Sequence, residues 1–128
     1  MIKRIIFVLS LVLSNTANAA LVGRLAATEG GTDYQAYYDN EADLTWLADA
    51  NVVGIQIRFS DANAWAVGLD VAGVTGWRLP ETDISCGADY NCITSEMGNL
   101  FYNVLGNTGY DGTNCFYPDY CLTNTGPF

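Results

Sequence analysis

The sequence predicts an α+β domain: two helices, a small antiparallel sheet, and loops stapled by disulfides. Three observations predict it. Two β-prone runs, YQAYYD at 34–39 and LTWLAD at 44–49, stand on either side of an acidic turn, the pattern of a hairpin. The apolar residues Met97, Leu100, Phe101, Val104 and Leu105 recur at helical spacing along one stripe. Four cysteines form two pairs, each closing over five residues of a loop rich in Gly, Asp, Asn and Pro.

Taken in order, the chain opens with MIKRIIFVLSLVLSNTANAA. Lys3 and Arg4 precede an apolar run over residues 5–13, and Ala17-Asn18-Ala19 is a small-x-small cleavage site. This is the three-part plan of a secretory signal, with a run too short to span a membrane. Cleavage is expected after Ala19, leaving residues 20–128 as one exported domain, periplasmic or extracellular. No later stretch is long and apolar enough for a transmembrane helix. Beyond the leader only Arg24, Arg58 and Arg78 oppose fourteen acids. That balance argues against nucleic acid and anionic membrane as partners, because both need a cationic surface.

The hairpin at 34–39 and 44–49 comes first. VGIQIRF at 53–59 then alternates Val53, Ile55, Ile57 and Phe59 against Gly54, Gln56 and Arg58, which predicts a strand. A helix is expected over 60–69, capped by Ser60, with Ala62, Trp65, Ala66 and Leu69 on one face. WRL at 77–79 is a short strand closed by Pro80, which has no N–H for a ladder. The second helix is expected over 94–107, with Thr94 as N-cap, Glu96 in the first turn where the helix dipole favours a carboxylate, and Gly106 or Asn107 as terminator. Residues 107–128 carry no strand or helix pattern.

An exported chain meets an oxidising compartment, so the four cysteines predict disulfides. Four cysteines allow three connectivities. The local pairs Cys86–Cys92 and Cys115–Cys121 are favoured because each loop is short and flexible enough to close. The two-residue spacing of tetrathiolate zinc sites and of redox-active pairs is absent.

The segments YYDNEADLTWLADAN, ANAWAVGLDVAGVTGWRLPE and TSEMGNLFYNVLGN, in that order, resemble the Lcl C-terminal domain family. These are exported bacterial domains, largely of unknown function, related in fold to C-type lectin-like domains and to the formylglycine-generating enzyme. The resemblance covers nearly all of residues 21–128, and its specific part is W-R-L-P followed by a helix with an early Glu. It implies a C-type-lectin-like outline whose closing strands follow the second helix in a Trp- and Tyr-rich stretch. Such a stretch is not found before Phe128, so the sheet is expected to be incomplete. The chain also departs from the family at 53–59, where a polar loop is more usual. In the related folds the arginine of this motif is architectural, so Arg78 is expected to turn inward and pair with Glu96; otherwise it lies exposed, its stem on Trp77.

For function, the absence of histidine excludes Ser-His-Asp and Cys-His catalysis and the usual His-containing zinc sites. Formylglycine-type oxidation needs a reactive cysteine pair late in the fold, whereas these cysteines sit in short local loops. The reading is therefore of a non-enzymatic domain without cofactor or metal. The favoured activity is ligand binding or adhesion, with carbohydrate as ligand. Tyr90, Tyr110, Tyr117 and Tyr120 lie in loops beside Asp89, Asp111 and Asp119, and aromatic rings next to carboxylates stack on sugars and accept from their hydroxyls. The alternative is a structural envelope or matrix domain that binds a cell-surface protein. Asp39, Glu41 and Asp43 alternate as in a cation loop, but without the glycine and distal acid of an EF-hand, and read as a solvated acidic turn.

Overall fold

The computed structural model describes residues 21–87 and 89–128. The expected leader over residues 1–19 lies outside them. The architecture is α+β: a three-stranded antiparallel sheet in the order β1-β2-β3, followed by helices and long stapled loops.

The hairpin forms where the β-prone runs stand, with β2 at Tyr34–Asp39 and β3 at Leu44–Leu47. Its register pairs Tyr37 with Trp46 and Asp39 with Leu44. Asp39 makes the turn: its buried Oδ1 accepts from the backbone N–H groups of Glu41 and Ala42 at 3.0 and 3.1 Å. The turn is thus built on a buried carboxylate, where the alternating acids suggested a solvated one. β1, at Leu21–Ala26, pairs with the free edge of β2. Nothing in the sequence singled it out, because LVGRLA has a glycine and an arginine where a strand pattern is read. Gly23 serves a close approach, since a Cβ there would collide with the ring of Tyr34.

Residues 53–59 do not form the expected strand. Gly54 turns the chain, its N–H bonded to the Asn51 carbonyl at 2.8 Å with φ 69°. A strand needs a neighbour's ladder, and this segment finds none, so Ile55 lies exposed and Phe59 starts a helix. That helix, α1, spans Phe59–Gly68. Arg58 occupies the cap position without a side-chain cap, and Ser60 lies inside the helix, its hydroxyl turned to Asp61. WRL at 77–79 is not a strand and has no ladder partner among the described residues; an isolated bridge joins Val71 to Val74 just before it.

The second helix starts one residue later than expected. Ser95 is the cap, accepting from the Gly98 N–H at 3.3 Å while its own hydroxyl donates to the Cys92 carbonyl. A short α2, Glu96–Gly98, widens at once into a π-helical stretch, Asn99–Val104. Turns closed from i to i−5 rotate the apolar stripe. Leu100 is buried, Phe101, Val104 and Leu105 are half-buried, and Met97 is left 54% exposed. Gly98 lets this helix touch the first cysteine loop, for a Cβ there would strike the Cys92 carbonyl oxygen. Among the described residues the fully buried apolar side chains are Ala36, Ala66 and Leu100, a small core for a domain of this size. Among them, too, no helix is long and apolar enough to cross a membrane.

Candidate functional site

The motif W-R-L-P-E docks on the start of α2 through one carboxylate. Arg78 Nη1 and Nη2 donate to Glu96 Oε2 and Oε1 at 2.8 and 2.6 Å, a two-pronged ion pair. Glu96 Oε2 also accepts the Glu81 N–H at 2.7 Å, while the Glu96 N–H returns a bond to the Glu81 carbonyl at 3.1 Å. Arg78 thereby holds the Glu96 carboxyl below the ordinary glutamate range, against a smaller opposing effect of burial, and Glu96 raises the guanidinium's own pKa. The pair sits at the surface: the Arg78 side chain is 44% exposed and that of Glu96 21%. Arg78 does not turn inward to be buried; it meets Glu96 at the rim of the cleft that both residues line.

The cysteines close in the local pairs 86–92 and 115–121, with Cα–Cα distances of 5.7 and 4.5 Å. Asp83 nucleates the first loop by accepting from the Ser85 N–H at 2.8 Å and capping a short 3-10 turn, Ile84–Cys86. The Thr94 hydroxyl, freed from capping, donates to Cys86 Sγ at 3.3 Å. Asn91 fastens the first loop to the segment that leads into the second. Its Nδ2 donates to the Tyr110 carbonyl at 2.6 Å and its Oδ1 accepts the Tyr110 N–H at 2.7 Å.

The structure sets the four candidate tyrosines in two ring pairs. Tyr90 packs on Tyr110 with ring centroids 4.8 Å apart, and Tyr117 meets Tyr120 edge-on at 6.2 Å. Tyr90, Tyr110 and Tyr120 line a hollow of about 440 Å³ together with Phe101, Tyr102 and Phe116. Tyr117 stands at its margin, 82% exposed. The carboxylates divide in role. Asp111 is committed to its own turn, accepting from both the N–H and the hydroxyl of Thr113 at 2.8 Å, and those bonds hold its carboxyl below the usual range. The exposed carboxylate of Asp119, next to Tyr120, has no hydrogen bond or ion pair among the described residues. Asp89 is likewise exposed. Around Asp39, Glu41 and Asp43 no metal-holding group of side chains forms among the described residues. Asp43 accepts instead from the Tyr38 hydroxyl at 2.9 Å, which raises the phenol's pKa, and Arg24 lies over the Tyr38 ring at 5.1 Å.

Two features had no sequence signal strong enough to find. One is Asn107, read only as a helix terminator. It is buried at 5% exposure, and its Oδ1 accepts from the N–H groups of Thr123 and Asn124 at 3.0 and 2.8 Å while Nδ2 donates to the Asn124 carbonyl at 2.8 Å. An amide straight after a helix-ending glycine is the only hint. The other is a cleft of about 530 Å³ that contains all three tryptophans, Trp46, Trp65 and Trp77, in its lining. Their wide separation in sequence hides it. Searches of family models, curated proteins and solved structures found no match to this chain.

Proposed function

We propose that this chain is an exported, non-enzymatic binding domain whose cysteine loops present an aromatic platform to carbohydrate. The observation that carries the reading is the hollow lined by the exposed rings of Tyr90 and Tyr120 and the half-buried Tyr110, with exposed Tyr117 edge-on to Tyr120. Sugar rings offer C–H faces that pack on such aromatics and hydroxyls that a carboxylate accepts from. Asp119, next to Tyr120 in the chain, supplies an exposed, uncommitted carboxylate, and Asp111 shapes its own turn. The platform is preorganised by two short disulfide loops and by the Asn91 bridge, which lowers the ordering cost of binding. Export rests on the leader pattern at 1–19 and on the disulfides, and the resemblance to the Lcl C-terminal domain family is in keeping with both.

The test is a glycan array probed with the oxidised protein. Binding that Tyr90→Ala and Tyr120→Ala each abolish, and that Arg24→Ala leaves intact, supports the lectin reading. Silence across the array, with a protein partner recovered by cross-linking, supports the structural class instead.

A further inference from the structure

We infer that the ligand of the hollow at the cysteine loops is a cationic sugar, an oligosaccharide of amino sugars whose amines are free and protonated. This rests on the carbohydrate reading above and names the class of sugar. Six of the eight residues lining the hollow are aromatic, Tyr90, Phe101, Tyr102, Tyr110, Phe116 and Tyr120, and none of the eight carries a charge. The face of an aromatic ring is the negative end of its quadrupole, so such rings attract a cation and disfavour an anion. The rings are not parallel: Tyr90 and Tyr110 are inclined at 58°, Phe101 and Tyr102 at 80°. A flat ligand stacks on only one ring of such a pair, whereas a compact ammonium group is attracted by each ring it approaches.

The charge of this part of the chain has one sign. From Leu79 to Phe128 there are six acidic side chains and no lysine or arginine. Three of those acids are chain neighbours of rings in the wall: Asp89 of Tyr90, Asp111 of Tyr110 and Asp119 of Tyr120. All three are exposed. Consecutive Cα atoms lie about 3.8 Å apart, so each carboxylate stands within roughly one Debye length of the ring beside it. Asp111 accepts from Thr113, a neutral partner, and keeps its charge. No cation among the described residues neutralises Asp89 or Asp119. The tryptophan cleft shows the contrast: Arg24 and Arg78 stand in its lining with Asp43 and Glu96, so its charges balance and select no sign.

Ring faces and carboxylates therefore select in the same direction. An anionic sugar is disfavoured by both. A neutral sugar gains ring packing and hydrogen bonds alone. A sugar with a protonated amine gains these as well, and adds attraction to the ring faces and charge-assisted hydrogen bonds to the acids. The volume of about 440 Å³ is that of a small-ligand site.

The experiment titrates the oxidised protein, by calorimetry, with a short oligomer of β-linked glucosamine and with its fully N-acetylated counterpart, which has no amine to protonate. The solution is held at about pH 6, below the range of an α-amino group, so that the sugar amines are charged. The glucosamine oligomer should bind at least about tenfold tighter than the acetylated one, and its affinity should fall as salt is raised. Asp89→Asn and Asp119→Asn remove exposed charges and should each weaken it about two- to fivefold. Tyr90→Leu and Phe116→Leu keep apolar bulk, lose the ring, and should weaken it as well. Equal binding of the two oligomers, or preference for the acetylated one, overturns the cationic inference and leaves the carbohydrate reading standing. Binding of neither also overturns it, and the glycan array then decides the carbohydrate reading on its own. Affinity for the glucosamine oligomer that both leucine variants leave unchanged marks general attraction to an acidic surface and overturns the assignment to the hollow.

Discussion

Arg78 and Glu96 meet fork to fork, with two hydrogen bonds of 2.8 and 2.6 Å, across a sequence separation of 18 residues. They are the main polar tie between the extended W-R-L-P segment and the second helix. The geometry is of the strong, two-pronged kind, but the site is wet, so Coulomb attraction is screened and side-chain entropy is spent to hold it. We expect Arg78→Ala to cost about 1 kcal/mol, not the several that a buried pair would lose. Glu96→Ala should cost about 1 kcal/mol more than that, because the Glu81 N–H also loses its acceptor. Denaturant unfolding of both single variants and the double variant should show non-additivity of about 0.5–1 kcal/mol. Strict additivity would mean that the two side chains do not interact in solution.

The same pair sets a pH dependence whose sign is fixed. Glu96 has its pKa lowered in the folded state by Arg78, so its contribution is fully present above the unfolded value of about 4.3 and is lost as pH falls through the lower folded value. Asp33, Asp83 and Asp111 are lowered too, by Thr28, Ser85 and Thr113 respectively, and act in the same direction. With no histidine in the chain, no imidazole titrates between about pH 5 and 8. The midpoint of urea unfolding should be flat from about pH 7 to 5 and fall below about pH 4.3. Glu96→Gln should make that fall shallower. A steepest change near neutrality would contradict this assignment.

Asn107 gives the third prediction. Its amide accepts from two backbone N–H groups and donates to one carbonyl of residues 123–124, all in a buried position. Leucine at this position would leave those groups facing a side chain that cannot pair with them. Asn107→Leu should cost about 2–3 kcal/mol by leaving them unpaired. Asn107→Asp keeps the accepting oxygen but sets a second carboxylate oxygen against the Asn124 carbonyl, so it should also destabilise, and least at a pH low enough to protonate that carboxyl and restore a donor. Limited proteolysis should cut between residues 119 and 128 in the leucine variant sooner than in the parent protein. Equal cutting rates would show that the amide does not hold this segment.

The parts of this fold that were legible in the sequence are those whose cause is local. The hairpin follows from two β-prone runs and an acid-rich turn, and the cysteine loops from spacing and composition. What escaped depends on neighbours that no local window contains. VGIQIRF alternates as well as any strand, yet alternation describes a half-buried ladder, and this segment pairs with no strand among the described residues. Thr94 and Ser95 are equally good caps by composition; in the structure Ser95 takes the cap and the Thr94 hydroxyl meets Cys86 Sγ. The π-helical turn over 99–104 has no signature in its residues. At the candidate site, the tyrosines were visible as loop aromatics, but the distinction between a committed Asp111 and an uncommitted Asp119 is a matter of hydrogen bonds alone. The tryptophan cleft assembles residues 46, 65 and 77 from three different elements, which periodicity within any one of them cannot reveal.

The last prediction concerns uncovered apolar surface. Ile55, Phe59, Val67, Met97, Phe116 and Tyr117 all expose most of their surface, while only Ala36, Ala66 and Leu100 among apolar residues are fully buried in the described part. Single exposed apolar residues are ordinary. Here they combine with an open cleft that holds three half-buried tryptophans, and a three-stranded sheet is near the lower limit for independent stability. The disulfides staple loops, each joining residues six apart, so they restrain little of the unfolded chain. Residues 20–128, produced with both disulfides formed, should therefore bind an apolar fluorescent dye and unfold over a broad range, with low cooperativity. Calorimetry and dye titration check this together. A sharp two-state transition in a monomer that binds no dye would show the apolar surface to be covered in solution.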